Sequence, residues 1–188
     1  GKDGQAYRDD VVMQSACKIL AADFNASNPA PPKEIDFLHV GLVRLSERKD
    51  TPLLGYEAFV PGEYAKFNTN AGGVLDPRRH TPQAFSHWSW VRSGGSELVC
   101  DLQGHRGDGG LPYLGENYYY LLTDPAICSA NREYGESDLG QAGIDAFFRH
   151  HECNQWCRHL DLEYERPQYM FSQRIAKCQS TSYHTLTN

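Results

Sequence analysis

Three side chains of metal-binding type fall within seven residues at His151-Glu152-Cys153-Asn154-Gln155-Trp156-Cys157, and this run restricts the fold more than any other stretch. Imidazole and thiolate suit zinc, which takes four such ligands tetrahedrally in structural sites. On a continuous helix His151 and Cys153 would point about 200° apart, so they cannot share an ion unless the helix breaks between them. Cys153 and Cys157, by contrast, sit one turn apart on one face. The spacing predicts a helix that ends near His151, a second that starts at about Cys153, and a metal stitching the joint. A fourth ligand must come from elsewhere. His80, His87 and His105 are the upstream candidates, and His87 is best placed because Phe85, Trp88 and Trp90 mark its segment as buried. The plainer alternative is two core cysteines beside a hydrogen-bonded histidine.

The rest of the chain reads as mixed helix and strand. From Tyr7 to Asn25, Met13, Ala16, Cys17, Leu20 and Phe24 recur at helical spacing, with Arg8, Asp9, Asp10, Gln14 and Lys18 elsewhere around the wheel. The prolines of residues 25–32 (NASNPAPP) end that helix. Stretches 35–45, 53–60 and 64–67 are β-rich and separated by turn signals, which predicts an antiparallel meander packed on the first helix. Thr81-Pro82 has the form of an N-cap and first-turn proline, so a short helix is expected from Pro82 to about Trp90. Ser93-Gly94-Gly95 turns the chain, Glu97–Leu102 is a predicted strand, residues 104–115 a glycine-rich loop, and Tyr118–Leu122 another strand. Gln141–His150 is a second clear helix with Ile144, Phe147 and Phe148 on one side. From Arg166 the periodicity is lost, and a mobile tail is expected.

Composition limits the function classes. The 188 residues carry 18 Lys and Arg against 24 Asp and Glu, a formal charge of −6, which is the wrong sign for a general nucleic-acid binder. The longest apolar runs are far short of a membrane span. Six cysteines and no secretory leader point to a reducing, intracellular (cytoplasmic) compartment, against a secreted disulfide protein.

Two further groupings could carry chemistry. Asp101 and Gln103 in CDLQG, and Asp124 in TDP, stand at the ends of apolar strands, where oxygen ligands suit Mg²⁺ and an Asp can orient a hydroxyl. Ordinary turn chemistry explains the same residues on spacing alone. Tyr134–Gln141 puts two glycines ahead of a helix, which offers backbone N–H groups to phosphate but is equally explained by an N-cap at Ser137 or Asp138.

Taken in order, YRDDVVMQSACKILAADFN (7–25), YEAFVPGEYAKFNTN (56–70), TPQAFSHW (81–88), CDLQG (100–104), TDP (123–125), YGESDLGQAG (134–143) and HECNQWC (151–157) resemble the alpha-kinase family, the atypical Ser/Thr protein kinases. The resemblance implies an α+β, two-lobed kinase-like fold with ATP in the cleft. Residues 1–58 would be the remainder of the small lobe, 59–165 the larger, zinc-stabilised lobe, and 166–188 a flexible tail. Glu57 would contact adenine at the hinge, with Lys66 and Asn70 lining the cleft. Asp101 would be the catalytic Asp near the substrate hydroxyl, and Gln103 and Asp124 the Mg²⁺-binding pair. Gly135, Asp138 and Gly140 fall in the glycine-rich loop linked to nucleotide or peptide binding. His87, His151, Cys153 and Cys157 match the four structural zinc ligands.

The activity so implied is Mg²⁺-dependent transfer of the ATP γ-phosphate to a Ser or Thr hydroxyl of a protein substrate, with neither nucleic acid nor membrane insertion involved. The family's first small-lobe strands, with their phosphate-pairing lysine, should precede Tyr7 and are expected to be missing from this chain. The competing expectation is therefore a catalytically silent binding or architectural module of the same fold. The stretch between Gln103 and Asp124 is also unusually long.

Overall fold

The computed structural model describes residues 4–107 and 118–168. It opens with α1 (Gly4–Asn25), whose buried side is Met13, Gln14, Cys17, Ala21 and Phe24. Asn25 ends the helix and takes over the work of a strand neighbour. Its side-chain amide donates to the Ile35 carbonyl at 2.8 Å and accepts from the Ile35 N–H at 3.0 Å, so the chain returns along α1 after the prolines.

The strands are β1 (Glu34–Phe37), β2 (Val40–Arg44), β3 (Leu53–Glu57), β4 (Tyr64–Lys66), β5 (Glu97–Cys100), β6 (Gln103–Arg106), β7 (Tyr118–Thr123) and β8 (Ala126–Ser129). They do not form the expected meander. Of the four strands β1 to β4, only β2 and β3 pair with each other, as a hairpin with Val40 opposite Glu57. β1 instead runs parallel to β7, and β4 pairs antiparallel with β6, giving a four-stranded sheet in the order β1-β7-β6-β4. Turn signals locate strand ends, but partners are chosen by burial. Ile35 and Phe37 are fully buried and need a central neighbour such as β7, whereas β2 and β3 are largely open to solvent. Strands from both sides of residue 58 thus share one sheet.

β5 and β8 form a separate antiparallel pair. The single strand expected over 97–102 is in fact two, because Asp101 turns out of extended geometry at φ 56° and β6 continues in the other sheet, shortening the expected 104–115 loop at its start. Asp124 does the same at φ 47° between β7 and β8. The bends face each other, since Cys100 pairs with Ala126 on one side of them and Gln103 with Thr123 on the other. Two strands therefore cross together from one sheet to the next.

α2 (His80–Arg92) begins earlier than its Thr-Pro signal, and its N-cap is Arg79 with no side-chain cap; Thr81 is 1% exposed. Burial of Thr81, Pro82 and Gln83 overrides the local signal. α3 (Gln141–His150) and α4 (Gln155–His159) follow, with α4 capped by Asn154, whose side chain accepts from the N–H groups of Trp156 and Cys157. One core joins α1, β1, α2, β7 and α4 around Phe24, Phe37, Phe85, Tyr120 and Cys157; a second joins β5, β8 and α3 around Leu98, Cys128, Ile144 and Phe147. Phe24 meets Phe85 and Trp88 edge-on at 5.2 and 5.3 Å between ring centroids.

Candidate functional site

A cavity of about 380 Å³ opens between α1, the β2–β3 hairpin, β4 and the β7–β8 bend, lined by Tyr7, Asp10, Gln14, Val40, Glu57 and Asp124 among others. Its volume is in the range that holds a small ligand. Glu57, the last residue of β3, is fixed at one side. Thr123 Oγ1 donates to both carboxylate oxygens, at 2.6 and 2.5 Å, and Gln14 Nε2 donates to one of them. Burial, and then the negative charges of Asp124, Glu57 and Asp101, push the Tyr64 phenol pKa up.

Asp101, Gln103 and Asp124, drawn from two chain bends, come together at the sheet crossing. Gln103 Nε2 donates to Asp101 Oδ2 at 3.3 Å and to the Asp124 carbonyl at 3.0 Å. Lys66 Nζ holds Asp101 Oδ1 at 2.8 Å. Asp101 and Gln103 do not share a strand face by period two, as the spacing suggested; they meet because the chain turns at Asp101. A non-glycine residue at positive φ costs of order 1–3 kcal/mol and persists only where the surroundings enforce it. Asn68 supplies part of that enforcement. It is 1% exposed, donates to Gln83 and Ser86, and accepts from the Leu102 N–H at 2.9 Å, next door to Asp101.

The glycine-bracketed loop is organised from inside by Asp138. Its carboxylate accepts from Ser129 N–H at 2.9 Å, Ser129 Oγ at 2.6 Å, Tyr134 N–H at 3.3 Å and Gly140 N–H at 2.8 Å. Burial alone would raise its pKa, but these hydrogen bonds outweigh it and hold the carboxyl below its usual value. Asp138 is therefore a loop organiser and not the cap of α3, whose N-cap is Gly140 with no side-chain cap. Glycine suits position 140 because φ 66° with ψ −153° is a backbone conformation that L side chains rarely adopt. Asn70 ties the loop to the chain after β4, its amide donating to the Ser137 carbonyl at 3.1 Å.

Apart from this site, the ligand atoms of His87, His151, Cys153 and Cys157 lie within 4.8 Å of one another. The helix break predicted between His151 and Cys153 is present, with His151 capping α3, but α4 starts at Gln155 behind its cap Asn154, so Cys153 stands before the helix and does not share a helical face with Cys157. Cys153 Sγ is 3.7 Å from His87 Nδ1 and 3.8 Å from His151 Nε2, and Cys157 Sγ is 3.5 Å from His151 Nε2. Those separations match the edges of a tetrahedron with metal bonds of about 2.0–2.3 Å. His87 Nε2 lies 2.5 Å from the Glu165 carbonyl, the outer hydrogen bond that leaves Nδ1 facing inward. The hydrogen bond shared by the two sulfurs splits the pair, pushing the Cys153 thiol down, with help from His151, His87 and Arg166, and the Cys157 thiol up, while burial holds His151 toward its neutral form. Two imidazole nitrogens and two sulfurs converging at these separations are donors that suit zinc, which would itself hold both sulfurs as thiolates, so the donor set fits that ion.

All of the sequence-derived candidates lie in the described residues, in three groups: Glu57, Lys66, Asp101, Gln103 and Asp124 around the cavity and crossing; Asn70, Gly135, Asp138 and Gly140 at the loop; and the His/Cys cluster. His80 and His105 are not in the cluster. Sequence reasoning missed Gln14, Asn68, Thr123 and Arg166, which hold the groups it named. Gln14 left a readable trace, since it precedes Cys17 and Ala21 by three and seven residues and so interrupts an apolar helix face. The expected tail beyond residue 168, and residues 108–117 of the long stretch between Gln103 and Asp124, lie outside the described residues.

Comparison with known proteins adds three findings. A family model described as the alpha-kinase family matches residues 1–157. Eukaryotic elongation factor 2 kinase of Caenorhabditis elegans is 37% identical over 161 residues, covering 85% of this chain and 19% of that protein, and alpha-protein kinase 1 of Dictyostelium discoideum is 40% identical over 167, covering 88% and 11%. Among solved structures, the alpha-kinase domain of myosin heavy chain kinase A in complex with ADP superposes with a TM-score of 0.73 at 36% identity, covering 86% of this chain and 61% of that one. The chain thus spans a fifth or less of these relatives, and about three fifths of the solved domain.

Proposed function

This chain belongs to the alpha-kinase family, its fold is a mixed α/β kinase-like one, and from that premise we propose that it transfers the γ-phosphate of ATP to Ser or Thr hydroxyls of a protein substrate. The observation that carries the reading is the meeting of Asp101, Gln103, Lys66 and Asp124 at two facing chain bends beside the cavity that Glu57 closes. Glu57 is then the adenine-side contact at the proposed boundary between a small-lobe part, 1–58, and a larger lobe, 59–165, a boundary that the β1–β7 pairing and the shared core bridge. Asn70 and the Gly135–Gly140 loop border the cleft where nucleotide and peptide meet.

In phosphoryl transfer the protein positions reactants and neutralises charge more than it makes bonds. Asp101 is suited to orient the substrate hydroxyl and accept its proton, because Lys66 and Gln103 hold its two oxygens from different sides. Gln103 spends its N–H₂ on Asp101 and Asp124, which assigns its amide oxygen, together with the Asp124 carboxylate, to a hard cation. Mg²⁺, when bound there, would neutralise phosphate charge. Zinc at His87, His151, Cys153 and Cys157 would have no open position and so serve the fold alone.

The test is transfer of labelled γ-phosphate by the full-length protein that carries this chain. Asp101→Ala should lower the rate by about a hundredfold, the usual size of a positioned acid–base group, while leaving MgATP binding in place. Transfer that is indifferent to Asp101→Ala would sink the reading. MgATP binding without any transfer by the unaltered protein would favour the silent module.

A further inference from the structure

We propose that Gln14 is a positioning residue that couples the base end of the nucleotide site to its metal end. This deepens the kinase reading above and rests on it. Gln14 is 4% exposed, on the side of α1 that faces the cavity. One side chain makes three bonds to three elements. Its Nε2 donates to the Leu38 carbonyl between β1 and β2 at 2.8 Å and to the Glu57 carboxylate at the end of β3; its Oε1 accepts from the Asp124 N–H at 2.9 Å.

The chemistry of those partners separates positioning from mere core filling. Asp124 sits at φ 47°, a conformation that needs an external hold, and the Gln14 acceptor grips the N–H of that same residue. Glu57, at an exposed strand end, would sample several rotamers unless anchored, and Gln14 with Thr123 supplies the anchors. Only a primary amide offers a donor to both Leu38 and Glu57 and an acceptor to Asp124. Glu at this position keeps the acceptor, loses the donors and sets a second carboxylate against Glu57; Met keeps the volume and loses both donor and acceptor. The two substitutions therefore cut different arms.

The experiment uses full-length protein and two probes in calorimetry: adenosine, which reads the base end alone, and MgATP, whose extra affinity over adenosine reads the metal end. Loss of a hydrogen bond to a charged partner should weaken adenosine by about tenfold in both Gln14→Glu and Gln14→Met. The MgATP gain should stay within about twofold of the unaltered protein in Gln14→Glu and fall by about tenfold in Gln14→Met. A structural role alone would not split the probes in this way. Equal losses on both probes in both variants, tracking a drop in melting temperature, overturn the proposal, as do affinities unchanged in a folded Gln14→Glu, which decides the base arm by itself if Gln14→Met does not fold. Glu57→Ala separates this from the reading beneath it. If Glu57→Ala weakens adenosine and the Gln14 variants do not, only the coupling fails; if Glu57→Ala has no effect, the assignment of Glu57 to adenine fails, and this arm with it.

Discussion

Asp101 and Asp124 take the same left-handed backbone at facing bends, and each is held by a residue far away in sequence: Asp124 by Gln14, and the Asp101 bend by Asn68 through the neighbouring Leu102 N–H. Asn68→Ala would orphan that N–H along with the buried groups of Gln83 and Ser86. It should cost about 2–3 kcal/mol in urea unfolding, and lower phosphoryl transfer further than the stability loss accounts for; a transfer rate unchanged in folded protein would contradict this. Gly104 is fixed by contact and not by composition. At φ 146° an added Cβ would lie 2.3 Å from the Leu121 carbonyl, so Gly104→Ala should break the β6–β7 pairing, measured as loss of amide protection in both strands. The reactive-looking residues were legible because Asp, Gln, His and Cys announce their chemistry in a string of letters. Asn68 and Thr123 were not, because a buried amide or hydroxyl has meaning only through partners that the fold brings near.

At the scale of elements, α1 and α3 were legible from period 3.6, and the α3–α4 break from the 200° argument about His151 and Cys153. Sheet order was not. Alternation marks a strand but says nothing of which distant strand completes it, so β1 was assigned to a neighbour when it pairs with β7. The bends at 101 and 124 were hidden for a related reason, since Asp in the left-handed region is also ordinary turn chemistry. The loop after β8 carries the pH prediction. The Asp138 carboxyl is lowered in the folded state, so its contribution to stability is present above the ordinary value of 3.8 and is lost as pH falls below it. Asp138→Asn keeps the shape without the charge. It should be less stable at neutral pH and should lose less on acidification from pH 6 to 3; parallel acid curves for the two proteins would refute the role.

For the molecule as a whole, the His/Cys cluster and the larger core are continuous, since Cys157 is fully buried in the group that contains Phe24, Phe37 and Phe85. Metal analysis should find about one zinc per chain, as four protein ligands imply. Chelation should lower the melting temperature and raise amide exchange first in residues 151–162, with Cys157→Ser behaving alike; melting indifferent to chelator would remove zinc from the account. The order of assembly follows from the sheet. Phe37 cannot find its partner Leu122 until the intervening chain has been made, and until then Ile35 and Phe37 lack the central strand that buries them, although α1 can already pack on β1 and, through Phe24, on α2. On a ribosome adding roughly 5–20 residues per second, that leaves an exposed greasy surface for several seconds. The parallel β1–β7 pairing therefore makes this domain a late folder during synthesis, one that depends on being shielded before it depends on being stable.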